Sequence, residues 1–232
     1  MIYRVGTGQE RKVALVRRER VAFYADSVEH LRLEGVLELP EGEGPFPACI
    51  LCHPHPIGGG TMHVPLLRVI SGVLVKEGWA CLRFNFRGVG ESAGESTGGL
   101  RETEDVEGAY GFLAQREEVN AGDLSLAGWS FGSWVGLRWA AKGGRCRRMA
   151  LISPPMVGFD FFHFLEGEGV TPPPETLIVA GERDQFASRE KLEELASRLG
   201  AELCLLEGAD HFLFGREEEV ARVIASRWKG SA

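Results

Sequence analysis

Gly128-Trp129-Ser130-Phe131-Gly132 is the stretch on which the fold turns, because it has the Gly-x-Ser-x-Gly form in a setting that fits a sharp strand-to-helix corner. The pattern alone is weak in a chain with 31 glycines, so its flanks decide. Leu124-Ser125-Leu126-Ala127 before it is short and apolar, like a buried strand. Residues 133–142 after it carry Val135, Leu137, Trp139 and Ala140, which suit a buried helix. A second match, Gly90-Glu91-Ser92-Ala93-Gly94, runs on into Glu95-Ser96-Thr97-Gly98-Gly99, a polar tract without helical periodicity that reads as loop. The first match is therefore the candidate corner and the second its decoy.

A serine hydroxyl is a poor nucleophile at neutral pH unless a base takes its proton, so it must stand clear of the sheet where a histidine can reach it. Small residues at Gly128 and Gly132 allow the flanking segments to close up around such a corner. The helix that follows places free N–H groups and a positive dipole end beside the serine, and the N–H of Phe131 is the expected donor to an oxyanion. A corner of this kind calls for an acid and then a histidine, each in a loop after a strand. Leu177-Ile178-Val179-Ala180 leads into Gly181-Glu182-Arg183-Asp184, and Leu203-Cys204-Leu205-Leu206 leads into Glu207-Gly208-Ala209-Asp210-His211. Between them Leu192, Leu195, Ala196 and Leu199 recur at helical spacing behind Ser188, a candidate N-cap. Strand, helix, strand makes the two strands parallel and brings both loops to one edge. Asp184 is the foremost acid, with Asp210, Glu207 and Asp160 as alternatives. Of the histidines, His30, His53, His55, His63 and His163 all precede Asp184, which leaves His211.

These segments, together with His53-Pro54-His55-Pro56 ahead of Gly58-Gly59-Gly60, and Arg83-Phe84-Asn85-Phe86-Arg87-Gly88-Val89-Gly90-Glu91-Ser92, resemble the α/β-hydrolase family. The likeness is to its small, nearly lidless bacterial members related to dienelactone hydrolases and short-chain esterases, and it covers most of the chain. It implies one domain over residues 1–232, with a mostly parallel central sheet, helices on both faces and a minimal lid. It implies Ser130 as nucleophile, His211 as general base and then acid, and Asp184 as the carboxylate that orients the imidazole. In most relatives a glycine follows the histidine of the His53 motif. Here Pro54 stands there without an N–H, and the second oxyanion donor carries over to the backbone N–H of His55. The resemblance further implies cleavage of a small carboxylic ester through an acyl-serine intermediate, without a cofactor. A serine at the corner argues against dehalogenase and epoxide-hydrolase chemistry, which in this fold uses an aspartate. Thioesterase, peptidase and acyltransferase chemistry share the same residues and stay open, as does a non-catalytic ligand-binding module.

Composition narrows the field. A formal net charge of −7 argues against a nucleic-acid partner. Residues 1–20 are peppered with charge and lack a signal-peptide core, and no apolar run reaches membrane-spanning length. Five cysteines without disulfide spacing suit a reducing cytoplasm. Cys49 and Cys52 form a C-x-x-C inside an expected strand, which favours core packing over redox chemistry. His53 and His55, with His63, could ligate a metal, but no carboxylate or cysteine lies at ligand spacing, so no metal is expected. Gly88-Val89-Gly90-Glu91-Ser92-Ala93 matches a dinucleotide fingerprint, yet the next helix opens only near Leu100.

Along the chain, residues 21–39 read as two extended segments around Asp26-Ser27, and residues 40–47 as a turn. A strand at 48–52 is followed by a helix marked by Leu66, Leu67, Ile70, Val73 and Leu74 and ending near Gly78. Then come a strand at 80–86, a helix at 100–115, a strand at 149–152 and a closing helix at 217–228. Residues 156–174 form the one long irregular connection. Its Phe159, Phe161, Phe162 and Phe164 are too apolar for a solvated loop. With Trp129 and Met156 they either wall an acyl pocket beside Ser130 or make satellite core. The sequence leaves oligomeric state unread.

Overall fold

The computed structural model describes residues 16–25, 30–167, 171 and 175–229. Its strands are β1 (Arg17–Tyr24), β2 (Arg32–Leu39), β3 (Phe46–Cys52), β4 (Ala80–Phe84), β5 (Val119–Trp129), β6 (Arg148–Ile152), β7 (Glu175–Gly181) and β8 (Glu202–Leu206). They form one eight-stranded sheet in the order β1-β2-β4-β3-β5-β6-β7-β8. β2 runs antiparallel to both β1 and β4, and all other pairs are parallel.

Both faces of the central parallel strands are dry. Ala48, Ile50 and Cys52 of β3 enter one core while Cys49 and Leu51 enter the other, as the strand's period of two requires. Met149 and Leu151 alternate with Ala150 and Ile152 in the same way along β6. Such strands need a helical layer on each side. Helices α1 (Pro65–Lys76) and α6 (Glu217–Lys229) cover one face with Leu66, Ile70, Leu74, Val220 and Ile224. On the other face lie α2 (Glu102–Ala114), α3 (Phe131–Ala140) and α5 (Arg189–Leu199), with Val106, Leu113, Val135, Leu192 and Leu195 buried. α4 (Phe161–Leu165) is a five-residue helix. The expected parallel sheet with helices on both faces is therefore what the chain forms.

Several boundaries differ from expectation, among them β1, which opens at Arg17 rather than at Val21, and β4, which ends at Phe84 rather than at Phe86. β3 starts at Phe46, inside the expected turn. Phe46 N–H bonds the Glu118 carbonyl, and Pro47 falls at the register shift between Phe46 and Ala48, where its missing N–H is not needed. β5 begins at Val119 rather than near Leu124: Val119 is buried, but the exposed residues 120–122 that follow break the apolar pattern. α4 interrupts the expected irregular connection, because the Asp160 carboxylate caps it by accepting the His163 N–H at 2.9 Å. The turn at Asp26-Ser27, residues 1–15 and parts of 168–174 lie outside the described residues.

The chain leaves β3 toward β4 on one side, and β5 begins the run to β8 on the other. This reversal opens a crevice at the carboxyl ends of β3 and β5, where the His53 loop and Ser130 sit.

Candidate active site

Ser130 stands between the end of β5 and the first residue of α3 with φ 53° and ψ −115°, a conformation that side chains other than glycine avoid. Its surroundings hold it there. The Ser130 N–H donates to the Ile152 carbonyl at 2.8 Å, and the Ser130 carbonyl accepts the Ser133 N–H at 2.9 Å and the Ser133 hydroxyl at 2.6 Å. The flanking glycines serve close approach: a Cβ on Gly128 would lie 2.2 Å from the Gly132 carbonyl oxygen, and one on Gly132 would lie 2.3 Å from that of Cys52. No larger residue fits either place.

The loops after β7 and β8 bring two more expected residues to this serine. His211 Nε2 is 2.9 Å from Ser130 Oγ, and His211 Nδ1 is 3.0 and 2.9 Å from the two carboxylate oxygens of Asp184. Asp184 Oδ1 also accepts the Phe186 N–H at 2.8 Å, so the buried carboxylate is held from two directions. Asp184 and His211 are 7% and 4% exposed, whereas Ser130 is half-buried and open to the crevice. The alternative acids are engaged elsewhere or exposed: Asp210 accepts the N–H groups of Phe212 and Leu213, Asp160 caps α4, and Glu207 lies on the surface.

Phe131 occupies the first turn of α3, where an N–H has no intrahelical acceptor and adds to the helix's positive end. Across from it, His55 opens a short 3₁₀ turn (Pro56–Gly58), its Nδ1 accepting the Ile57 N–H at 3.2 Å and its carbonyl accepting from Gly58 and Gly60. The His55 ring lies 4.8 Å from that of Phe131. His53 has a different task. Its Nε2 accepts the Phe86 N–H at 3.1 Å, which leaves Nδ1 to donate to the Pro54 carbonyl at 2.7 Å. Burial lowers its pKa to about 4, so the ring is neutral, and neither nitrogen is left with a free lone pair for a metal. Cys49 and Cys52 point into opposite cores, and burial raises both thiols.

Ser130 and His211 form the floor of a cleft of about 480 Å³. Of the aromatic and Met residues expected around it, Trp129 and Phe159 line the cleft, and Met156, Phe161, Phe162 and Phe164 do not. The turn of α4 explains this. Phe161 and Phe164, three residues apart, share a helix face and pack on Trp134 at 5.0 and 5.6 Å. Phe162 turns away beneath Arg198, whose guanidinium is 4.8 Å from its ring, and Met156 packs against the core beside it. The apolar lining comes instead from Phe186, Phe212, Phe214, Val157, Val64 and prolines 54, 65 and 155. A signal for the three phenylalanines was available: each lies within three residues of Asp184 or His211.

A family model for the alpha/beta hydrolase fold matches residues 57–173, a stretch that includes Ser130 and stops short of Asp184 and His211. An alpha-beta serine hydrolase homologue from Coxiella burnetii superimposes with a TM-score of 0.77 at 27% identity, covering 92% of this chain and 97% of that one. A serine hydrolase without a lid from Xanthomonas campestris gives a TM-score of 0.77 at 27% identity over 91% and 94%. An uncharacterized protein of Rickettsia prowazekii is 30% identical over 186 residues, 77% of this chain and 76% of its own. By sheet order, by the strand-to-helix corner at Ser130 and by these likenesses, the chain belongs to the alpha/beta hydrolase fold family.

Proposed function

We propose that the protein hydrolyses small carboxylic esters through an acyl intermediate on Ser130, using no cofactor. The observation that carries this reading is the hydrogen-bonded chain from Asp184 through His211 to Ser130, set beside the N-terminus of α3 on the floor of the cleft. His211 Nε2 takes the hydroxyl proton as Ser130 Oγ attacks the ester carbonyl. Asp184 holds the imidazole in the required tautomer and stabilises its charged form. The carbonyl oxygen, becoming an oxyanion, meets the Phe131 N–H, with the His55 N–H as second donor. Collapse expels the alcohol, which leaves with the proton held on His211, and water activated by the same ring then releases the acid. The substrate is a small molecule. The five cysteines are all free, which supports placing the reaction in a reducing cytoplasm.

The test is labelling with a fluorophosphonate probe followed by peptide mapping. The expected result is one adduct, on Ser130, abolished in Ser130→Ala. A folded protein that takes up no probe would instead be a ligand-binding module on this fold. Parallel rates on ester, thioester and anilide substrates sharing one acyl group separate esterase from thioesterase and peptidase.

A further inference from the structure

Val157, Phe186, Phe212 and Phe214, four of the eight large apolar side chains most exposed among the described residues, line the cleft that holds Ser130. Exposed apolar area gathered at one place marks a binding surface. Three of the four form an ordered strip. The Phe186 ring lies 4.6 Å from His211 and the Phe212 ring 5.6 Å from it, and Phe214 stacks on Phe212 at 5.7 Å with 12° between the planes. Leu213, buried between the last two, has φ 57° and turns the chain so that they lie alongside one another. Among the described residues, no Asp, Glu, Lys or Arg lines the cleft.

The strip's place beside His211 says which half of a substrate it meets, given that Ser130 is the nucleophile as proposed above. In the acylation step the Ser130 Oγ–carbonyl bond forms and the carbonyl–alkoxy bond breaks. The proton that His211 Nε2 took from Ser130 goes to the departing alcohol oxygen. That oxygen must therefore lie within hydrogen-bond reach of Nε2, with the carbonyl oxygen at the Phe131 N–H. The alcohol half is then directed toward the rings that pack on His211. The acyl half is left on the opposite side, where Phe159 packs against Phe131 at 5.9 Å and His55 at 6.4 Å. We infer that Phe186, Phe212 and Phe214 form the leaving-group subsite, and that the substrates are uncharged esters of apolar, ring-bearing alcohols with a compact acyl group.

The test compares benzyl acetate with 2-methoxyethyl acetate, whose alcohols have similar acidity and so leave with similar ease. The purified protein should prefer benzyl acetate in kcat/KM by roughly 10-fold or more, and a carboxylate on the benzyl ring should abolish that preference. Phe214 is 71% exposed, so Phe214→Ala removes a ring without opening the core. It should cut the benzyl preference roughly 3- to 10-fold, mainly through KM, and leave the ratio of p-nitrophenyl butyrate to acetate where it was. Phe159→Ala should do the reverse. Ser130-dependent turnover with a benzyl preference near one, or a preference that Phe214→Ala and Phe212→Ala do not move, would overturn the subsite. Absence of turnover on every ester, with Ser130 unlabelled by fluorophosphonate, would overturn the hydrolase reading itself.

Discussion

Two pentapeptides of this chain share the form Gly-x-Ser-x-Gly, and the protein uses them in opposite ways. At Gly128 to Gly132 the glycines are needed because carbonyl oxygens lie where a Cβ would be, and the residue under backbone strain is the serine itself. At Gly90 to Gly94 the glycines have φ 59° and 80° and the serine is relaxed. Ser130 keeps its hydroxyl half-exposed against a histidine. Ser92 is buried, with its hydroxyl donating to the Asn85 carbonyl at 2.7 Å and accepting the Glu34 N–H at 3.0 Å. A hydroxyl engaged as both donor and acceptor is a staple between a loop and β2. What separates the two serines is whether the fold leaves the hydroxyl's chemistry free.

Alanine at each position tests the contrast most sharply. Ser130→Ala should lower ester hydrolysis at least ~1000-fold with the fold intact, and Ser130→Ala/His211→Ala should be hardly worse, since residues that act as a unit lose their effect together. Ser92→Ala should keep most of its activity but lose about 1–3 kcal/mol of stability, because the buried Asn85 carbonyl and the part-buried Glu34 N–H each lose a partner. Activity assays and urea melts on the purified variants measure both. The contrast breaks if Ser92→Ala is the inactive variant, or if the two Ser130 and His211 losses multiply.

The corner at Ser130 was legible because its signals are local: an apolar strand, two small residues and a helix within about fifteen positions. Asp184 and His211 were legible for a related reason, each ending a short apolar run that only a strand explains. The cleft wall was not. Phe161, Phe162 and Phe164, apolar in a connection, read equally as pocket wall or as satellite core, because which way each points depends on the α4 cap at Asp160 and on Trp134, far away in the chain. Phe186, Phe212 and Phe214 meet only because the β7 and β8 loops are neighbours in space. The second role of Ser92 was equally hidden, since Glu34 lies 58 residues away.

His53 joins the two regions, bonding Pro54 beside the Ser130 crevice and Phe86 at the start of the Ser92 loop. Its neutral, buried ring makes that link sensitive to pH. Burial lowers its folded-state pKa to about 4, against the ordinary histidine value of 6.5 that the unfolded chain would show. Between those values the unfolded chain binds a proton that the folded one refuses, so stability is full above pH 6.5 and drains away as pH falls toward 4. The loss between pH 7 and 5 should be about 2 kcal/mol from this group. Urea unfolding at the two pH values measures it, and His53→Gln should be less stable at pH 7 but show a shallower decline. An equal decline in both proteins would mean that the ring does not carry the pH dependence.

The smallest effect concerns where the cleft ends on the acyl side. No residue from 88–99, the Ser92 loop, lines the cleft, whereas Phe159 from the connection before α4 does. The cleft of about 480 Å³ is shared by both halves of an ester, and on the acyl side Phe159, packed on Phe131, stands across it. Each buried methylene is worth about 0.8 kcal/mol, so kcat/KM on p-nitrophenyl esters should rise by up to ~4-fold per carbon from acetyl and stop near hexanoyl. Dodecanoyl and longer esters should gain nothing further. Phe159→Ala should move the break point to longer chains, while Ser92→Ala should leave it in place. A steady climb to palmitoyl would reveal a buried tunnel and remove the short-acyl assignment, and a break point displaced by Ser92→Ala would mean that the second serine's loop shapes the site after all.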